Sequence, residues 1–177
     1  MEYTQHYDSP LGGITIACDG GALTGLWFDG QRYFPAAPPG RRGEKDLPVC
    51  ASTRRWLDVY FCGERPDFTP PIRMNTTAFR RAVWEILLTI PYGQTMSYGE
   101  IAALIARQAG LPHMSAQAVG GAVGHNPISI IIPCHRVVGA DGSLTGYAGG
   151  VDRKLRLLAL EKADLTRLFV PKQGTAL

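Results

Sequence analysis

The chain has 177 residues, 45% of them hydrophobic and 19% charged, with a formal net charge of +3 and a pI near 8.7. With that balance a globular chain is expected rather than a disordered one, and the length permits one medium domain or two small ones with real cores. No apolar run approaches the ~20 residues needed to span a bilayer, and residues 1–6 lack the basic-then-apolar character of a secretory signal. A cytoplasmic protein with no membrane partner is expected.

Four cysteines, Cys18, Cys50, Cys62 and Cys134, show no CxxC pairing. Without a secretory signal, reduced thiols are expected rather than a disulfide framework. The same spacing gives no support to a zinc site built from Cys18, Cys50, Cys62 and His6, so no metal is expected. The mild basicity permits a nucleic-acid partner without demanding one.

Residues 3–7, 13–18 and 22–28 alternate as strands do, with Asp19-Gly20-Gly21 as a tight turn. This meander has one apolar face to cover. Residues 34–49 are rich in proline, glycine and charge and read as a loop. From 51 to 62 the aromatics Trp56, Tyr60 and Phe61 recur at helical spacing before Gly63, which predicts the covering helix. Phe68-Thr69-Pro70-Pro71-Ile72 is a stiff connector. The expected organisation is an N-terminal domain with its linker over 1–73, a second domain over 74–163, and a loosely held tail over 164–177.

The second domain opens with Thr76 or Thr77 as a cap. A helix follows with Phe79, Val83, Ile86, Leu87 and Ile90 on one face and Arg80, Arg81 and Glu85 mostly opposite. Pro91-Tyr92-Gly93 ends it. Ser97 caps a helix over 98–108, and Ser115 caps another over 116–123, the outline of a helix-turn-helix. The latter carries Gly120 and Gly121, each costing a helix about 1 kcal/mol relative to alanine. Such a helix either packs tightly against a neighbour or lets a partner approach its backbone. A last helix over 152–163 has Leu155, Leu157 and Leu158 inward and Glu161 near the edge of that face.

The chemistry concentrates after the apolar run Ile130-Ile131-Ile132. Read as a buried strand ended by Pro133, this run delivers Cys134 beside His135 and Arg136, facing the small-residue loop Gly142-Ser143-Leu144-Thr145-Gly146-Tyr147-Ala148-Gly149-Gly150. Thiolate, not thiol, is the nucleophile, and either neighbouring base can favour it. On an extended strand His135 points away from the sulfur, so a bridging water serves as well as direct contact. A carboxylate fixes a catalytic histidine's tautomer. Glu161 and Asp152 are the candidates, with Glu161 nearer a buried face. The plainer readings are a half-buried structural cysteine and a solvent-facing helix glutamate.

Asn126-Pro127, then Pro133-Cys134-His135-Arg136-Val137-Val138-Gly139, then Thr145-Gly146-Tyr147-Ala148-Gly149-Gly150 form an ordered set. With Pro91-Tyr92-Gly93, Ser97-Tyr98, Ala118-Val119-Gly120 and Leu157-Leu158-x-x-Glu161, it covers most of 74–163. This set resembles the O6-alkylguanine-DNA alkyltransferases, and the first 70 residues resemble that family's variable N-terminal domain, loosely, at Ser9-Pro10-Leu11-Gly12.

The resemblance implies an α+β protein with a ribonuclease-H-like N-terminal sheet and helix, and a helical C-terminal domain carrying a winged-helix-like helix-turn-helix. It implies a single-turnover methyltransferase that moves an alkyl group from O6 of guanine, with O4 of thymine open, onto Cys134 after nucleotide flipping. No cofactor or metal enters this chemistry. The partner is double-stranded DNA containing O6-alkylguanine, bound by a monomer, with cooperativity on DNA left open. Catalytic roles fall to Cys134, His135, Glu161, Tyr98 and Asn126. DNA and base contacts fall to Gln117, Ser115, Ala118, Gly121, Val137, Tyr147, Ala148 and Gly149. Gln117 stands where the family carries an arginine that fills the gap left by the flipped base, and glutamine lacks that residue's charge and cationic stacking. Packed core rings are the plainer readings of Tyr98 and Tyr147. The runner-up functions are a non-catalytic lesion sensor or transcription regulator on the same scaffold and, more distantly, a thiol hydrolase.

Overall fold

The computed structural model describes residues 2–36, the backbone at 41–42, and residues 47–172. It divides into two compact units, Met1–Asn75 with Pro127–Ile131, and Thr76–Asn126 with Ile132–Leu177.

In the first unit β1 (Tyr3–Ser9), β2 (Gly12–Cys18) and β3 (Leu23–Phe28) form the antiparallel meander that the alternating pattern predicts. A two-residue β4 (Arg41–Arg42) adds in parallel to β1, giving the order β3-β2-β1-β4. That strand falls inside the stretch expected to be a loop, of which residues 37–40 and 43–46 lie outside the described residues. The inward faces bury Ile14, Ile16, Leu23, Leu26 and Phe28. Helix α1 (Pro48–Phe61) covers them with Trp56, Leu57 and Tyr60. It starts earlier than the aromatic spacing suggested because Pro48, at the first helical position, lacks an N–H the helix would leave unpaired anyway. The sulfurs of Cys18, ending β2, and Cys50, in the first turn of α1, are joined in a disulfide with Cα atoms 6.4 Å apart. This corrects the expectation of reduced thiols and removes two sulfurs from the zinc set. Among the described residues no cluster of three metal-ligating side chains occurs.

The segment 127–131 returns to the first unit's sheet, where Leu26 N donates to Pro127 O (2.8 Å) and Ser129 N to Leu26 O (2.8 Å). Ile130 adopts a left-handed φ of 69°. The expected strand before Cys134 is therefore absent, and the apolar run is a buried turn instead.

The second unit packs α2 (Ala78–Thr89), α3 (Tyr98–Gln108) and α4 (Ala116–Gly124) around Val83, Leu87, Ile101, Ile105, Val119 and Val123. Each helix starts on the hydroxyl cap read from sequence. Thr77 accepts from Arg80 N, Ser115 from Ala118 N, and Ser97 forms a reciprocal capping box with Glu100. The indole of Trp84 donates to Ala122 O (2.9 Å), tying α2 to α4. Two short strands, β5 (Met96–Ser97) and β6 (Val137–Val138), pair in parallel, and α5 (Val151–Leu160) closes the unit.

The tail is more ordered than expected. Leu144 N donates to Phe169 O (2.8 Å), and Leu165 and Leu168 pack on the buried cluster of Val138, Leu144 and Leu158. Residues 173–177 lie outside the described residues. Among the described residues no helix is long and apolar enough to cross a membrane.

Candidate active site

Cys134, His135 and Arg136 form one turn of 3-10 helix rather than a strand, immediately before β6. The pairing of β6 with β5 sets this turn beside the start of α3, with Ser97 opposite Val138. That register brings Tyr98 towards the cysteine, and α5 packs on the same turn.

Both bases that follow the cysteine turn to Glu161. His135 Nε2 lies 2.6 Å from Glu161 Oε1, Arg136 Nε donates to Oε2 (2.8 Å), and Arg136 Nη2 donates to Oε1 (3.0 Å). The Gly93 N–H, in the turn after α2, gives Oε2 a further hydrogen bond (3.0 Å). Arg136 Nη1 donates to Ile90 O (2.6 Å), and its guanidinium lies 5.7 Å from the centre of the Tyr92 ring. Glu161 is 2% exposed and His135 is fully buried. Asp152, the other carboxylate considered from sequence, is exposed on α5.

Burial alone would raise the Glu161 pKa. The hydrogen bonds from His135 and Arg136, with the guanidinium charge of Arg136, outweigh it and hold the carboxyl well below the usual carboxylate range. Burial pushes the His135 pKa down, against the pull of Glu161. Arg136 and Glu161 therefore balance one another, and His135 stays neutral. With Nε2–H donated to the carboxylate, Nδ1 is the basic nitrogen.

Cys134 is 5% exposed, and burial pushes its thiol up. Three features oppose that shift: the Asn126 amide, the Lys154 ammonium, and the backbone N–H groups of Cys134 and His135. Asn126 Nδ2 donates to Cys134 Sγ (3.2 Å) and to Ile132 O (2.8 Å), so one side chain at the end of α4 holds both the sulfur and the backbone leading to it. Tyr98 Oη donates to Thr145 O (3.1 Å), and burial, followed by the nearby cysteine, pushes its phenol up. Tyr147 packs edge-on to His135 with centroids 6.4 Å apart. Val137 and Gly149 are buried, and Ala148 is half-buried in the same loop.

Four other residues singled out from sequence lie on α4 and its cap. Ser115, Gln117, Ala118 and Gly121 are all exposed, while Val119, Gly120, Ala122 and Val123 face inward. A Cβ added at Gly121 would meet nothing within 4 Å. Packing against a neighbouring helix therefore does not account for that glycine.

Three partners escaped the sequence reading. The Gly93 N–H and the Thr145 carbonyl are backbone groups with no side-chain signature. Lys154 is fully buried on α5 and donates to Thr145 O (2.7 Å). Its signal was present, since Lys154, Leu157, Leu158 and Glu161 stand at i, i+3, i+4 and i+7 on one helix face.

Two expectations follow. Gly93 has φ +76°, and an added Cβ would sit 2.7 Å from Glu161 O. Gly93→Ala should lower stability by about 1–3 kcal/mol, read as a lower urea midpoint at unchanged slope. A wild-type midpoint would remove Gly93 from the site's support. The folded pKa of His135 is depressed below its reference of 6.5, so the unfolded chain binds the proton first as pH falls. The stability tied to neutral His135 is complete above that reference and is lost as pH drops below it. Urea midpoints measured from pH 8 to 5.5 should decline below about 6.5, and His135→Gln should flatten that decline. An equally steep decline in the variant would reject the assignment.

Comparison with known proteins agrees with this geometry. Residues 78–163 match a family profile described as 6-O-methylguanine DNA methyltransferase, DNA binding domain. Residues 3–74 match the ribonuclease-like domain of the same methyltransferase. A methylated-DNA–protein-cysteine methyltransferase of Mycobacterium tuberculosis is 48% identical over 168 residues, covering 91% of this chain and 97% of that protein. The inducible protein of that name from Bacillus subtilis is 48% identical over 141 residues, covering 80% and 74%. The crystal structure of Mycobacterium tuberculosis OGT in complex with DNA is similar at a TM-score of 0.78 and 46% identity, covering 90% of this chain and 93% of that one. With both units matched and nearly half the residues shared across most of the length, the chain belongs to the O6-methylguanine DNA methyltransferase family.

Proposed function

We propose that this protein repairs DNA by direct reversal, moving the alkyl group of O6-alkylguanine onto its own Cys134. The observation that carries this reading is a buried thiol whose following histidine is kept neutral by burial and oriented by the Glu161 carboxylate, within a chain of this family. A neutral histidine of fixed tautomer is the base a thiol needs to ionise at neutral pH.

In the reaction the thiol proton passes to His135 Nδ1 through a bridging water. Cys134 Sγ then attacks the alkyl carbon in line, the S–C bond forms, and the C–O6 bond breaks. Its electron pair goes to guanine, which takes a proton from the Tyr98 hydroxyl. Because burial makes the Tyr98 phenolate costly, the phenol yields its proton only as negative charge builds on the departing base, and it regains one from the His135 imidazolium through solvent. Asn126 keeps the sulfur in place through the hydrogen bond from its side-chain amide. The thioether is a poor leaving group, so each molecule acts once, and the displacement calls for no metal or cofactor.

O6 of guanine lies within the duplex stack, so the nucleotide must be extruded before the sulfur can reach it. The exposed small residues of α4, Ser115, Ala118 and Gly121, suit close approach to a DNA groove. On this reading Gln117 occupies the gap left by the base. Val137, Tyr147, Ala148 and Gly149 line the pocket that receives it. A cytoplasmic location is part of this proposal. The sensor reading is not favoured, since the relatives named above are methyltransferases and Cys134 is retained.

Mass spectrometry after incubation with duplex DNA bearing O6-methylguanine should show one added methyl group on Cys134. Cys134→Ala should gain none. An unchanged wild-type mass with tight lesion binding would overturn the transfer reading in favour of a sensor. Gln117→Arg restores charge and cationic stacking at the intercalating position. It should tighten DNA binding or speed transfer several-fold, by about 1 kcal/mol in a cationic contact. Equal or slower single-turnover rates would show that Gln117 does not limit extrusion.

A further inference from the structure

We propose that Lys154 is a positioning residue for Cys134: its buried ammonium anchors the Thr145 carbonyl of the pocket loop and supplies the positive charge that steadies the Cys134 thiolate. This rests on the reading of Cys134 as the nucleophile.

A fully buried lysine is uncommon because its charge is expensive to desolvate. Lys154 is 0% exposed, and its Nζ donates to Thr145 O at 2.7 Å. Tyr98 Oη donates to the same carbonyl at 3.1 Å. One carbonyl of the pocket loop is thus gripped from α5 and from the start of α3. Among the described residues Lys154 makes no ion pair with a carboxylate, whereas Arg136 and His135 are both committed to Glu161.

The ionisable groups around the cysteine turn sort by element. The 3-10 turn contributes Cys134 itself, neutral His135, and Arg136 paired to Glu161. Helix α3 contributes Tyr98, a neutral phenol, and the loop contributes Tyr147. Helix α5 contributes Glu161, already matched, and Lys154. Cys134 and Lys154 act on one another electrostatically, each favouring the other's charged form. Burial brings the lysine down to about 8, so it is still mostly protonated near neutral pH.

Helix geometry explains how one element serves both needs. Lys154 and Glu161 are seven residues apart on the same face, about 10.5 Å along the axis. Helix α5 therefore presents an ammonium towards the thiol and loop, and a carboxylate towards the histidine. A purely structural side chain at position 154 would not need a charge, since an apolar chain of similar length fills the same space.

The test follows the pH dependence of Cys134 alkylation by iodoacetamide, read by peptide-resolved mass spectrometry so that exposed Cys62 does not interfere. Wild type, Lys154→Met and Lys154→Arg are compared without DNA, and thermal midpoints are recorded alongside. Lys154→Met should raise the midpoint of the pH profile by about one unit and slow alkylation at pH 7 about tenfold. Its thermal midpoint should equal or exceed that of wild type, because an uncompensated buried charge has been removed. Lys154→Arg should keep the wild-type profile. An unchanged profile in Lys154→Met, at any thermal midpoint, overturns the proposal. Should that variant not fold, Lys154→Arg decides: a wild-type profile supports the role of charge, and a raised midpoint overturns it. Since no lesion is present, either result stands apart from whether methyl transfer to Cys134 is observed.

Discussion

The site depends on the carboxylate of Glu161. Its two oxygens receive His135 and Arg136 Nη2 on one side, and Arg136 Nε and the Gly93 N–H on the other. Those contacts come from the nucleophile's own turn and from the loop after α2, while Glu161 caps the end of α5. A buried carboxylate without such partners would be protonated or strongly destabilising. With them it stays anionic, and its charge is cancelled by Arg136 rather than by the histidine. His135 is thereby free to remain a neutral base of fixed tautomer. Folding of the second unit and tuning of the nucleophile are consequently one problem, since each donor must be in place for the carboxylate to be tolerated.

Around that centre, division of labour follows from geometry. Asn126 and Lys154 act on the sulfur and its surroundings, Tyr98 and Lys154 share the Thr145 carbonyl, and β5 and β6 hold the cysteine turn against the start of α3. The exposed face of α4 is separate in character. On α4 the outward residues are small or polar, and Gly121 opens onto empty space. A glycine there weakens the helix, and the gain is access to its backbone.

Some of this was readable one residue at a time. The hydroxyls that cap α2, α3 and α4, the inward rows of α2 and α3, and the meander of the first unit all follow from local periodicity and backbone chemistry. Glu161 was legible as a carboxylate at the edge of an apolar row. The run Ile130-Ile131-Ile132 misled because a short apolar stretch carries no signal separating a strand from a buried turn. Ile130 at φ 69° is imposed by its surroundings, against the preference of a β-branched side chain. The Cys18–Cys50 link escaped because the two residues are 32 positions apart and meet only when α1 covers the sheet.

By itself the sequence determined most element types, the caps that start α2, α3 and α4, the family, and the proposed nucleophile with His135 and Glu161 as its partners. These rest on local spacing and on an ordered set of motifs. The tertiary structure alone decided where the charges go. Arg136 turns from the sulfur to Glu161, the Gly93 backbone completes the carboxylate's shell, and Lys154 is drawn inside to the Thr145 carbonyl. Burial and hydrogen bonding around Glu161 depend on which segments meet across 25 to 68 positions of chain, and a one-dimensional pattern does not carry that distance.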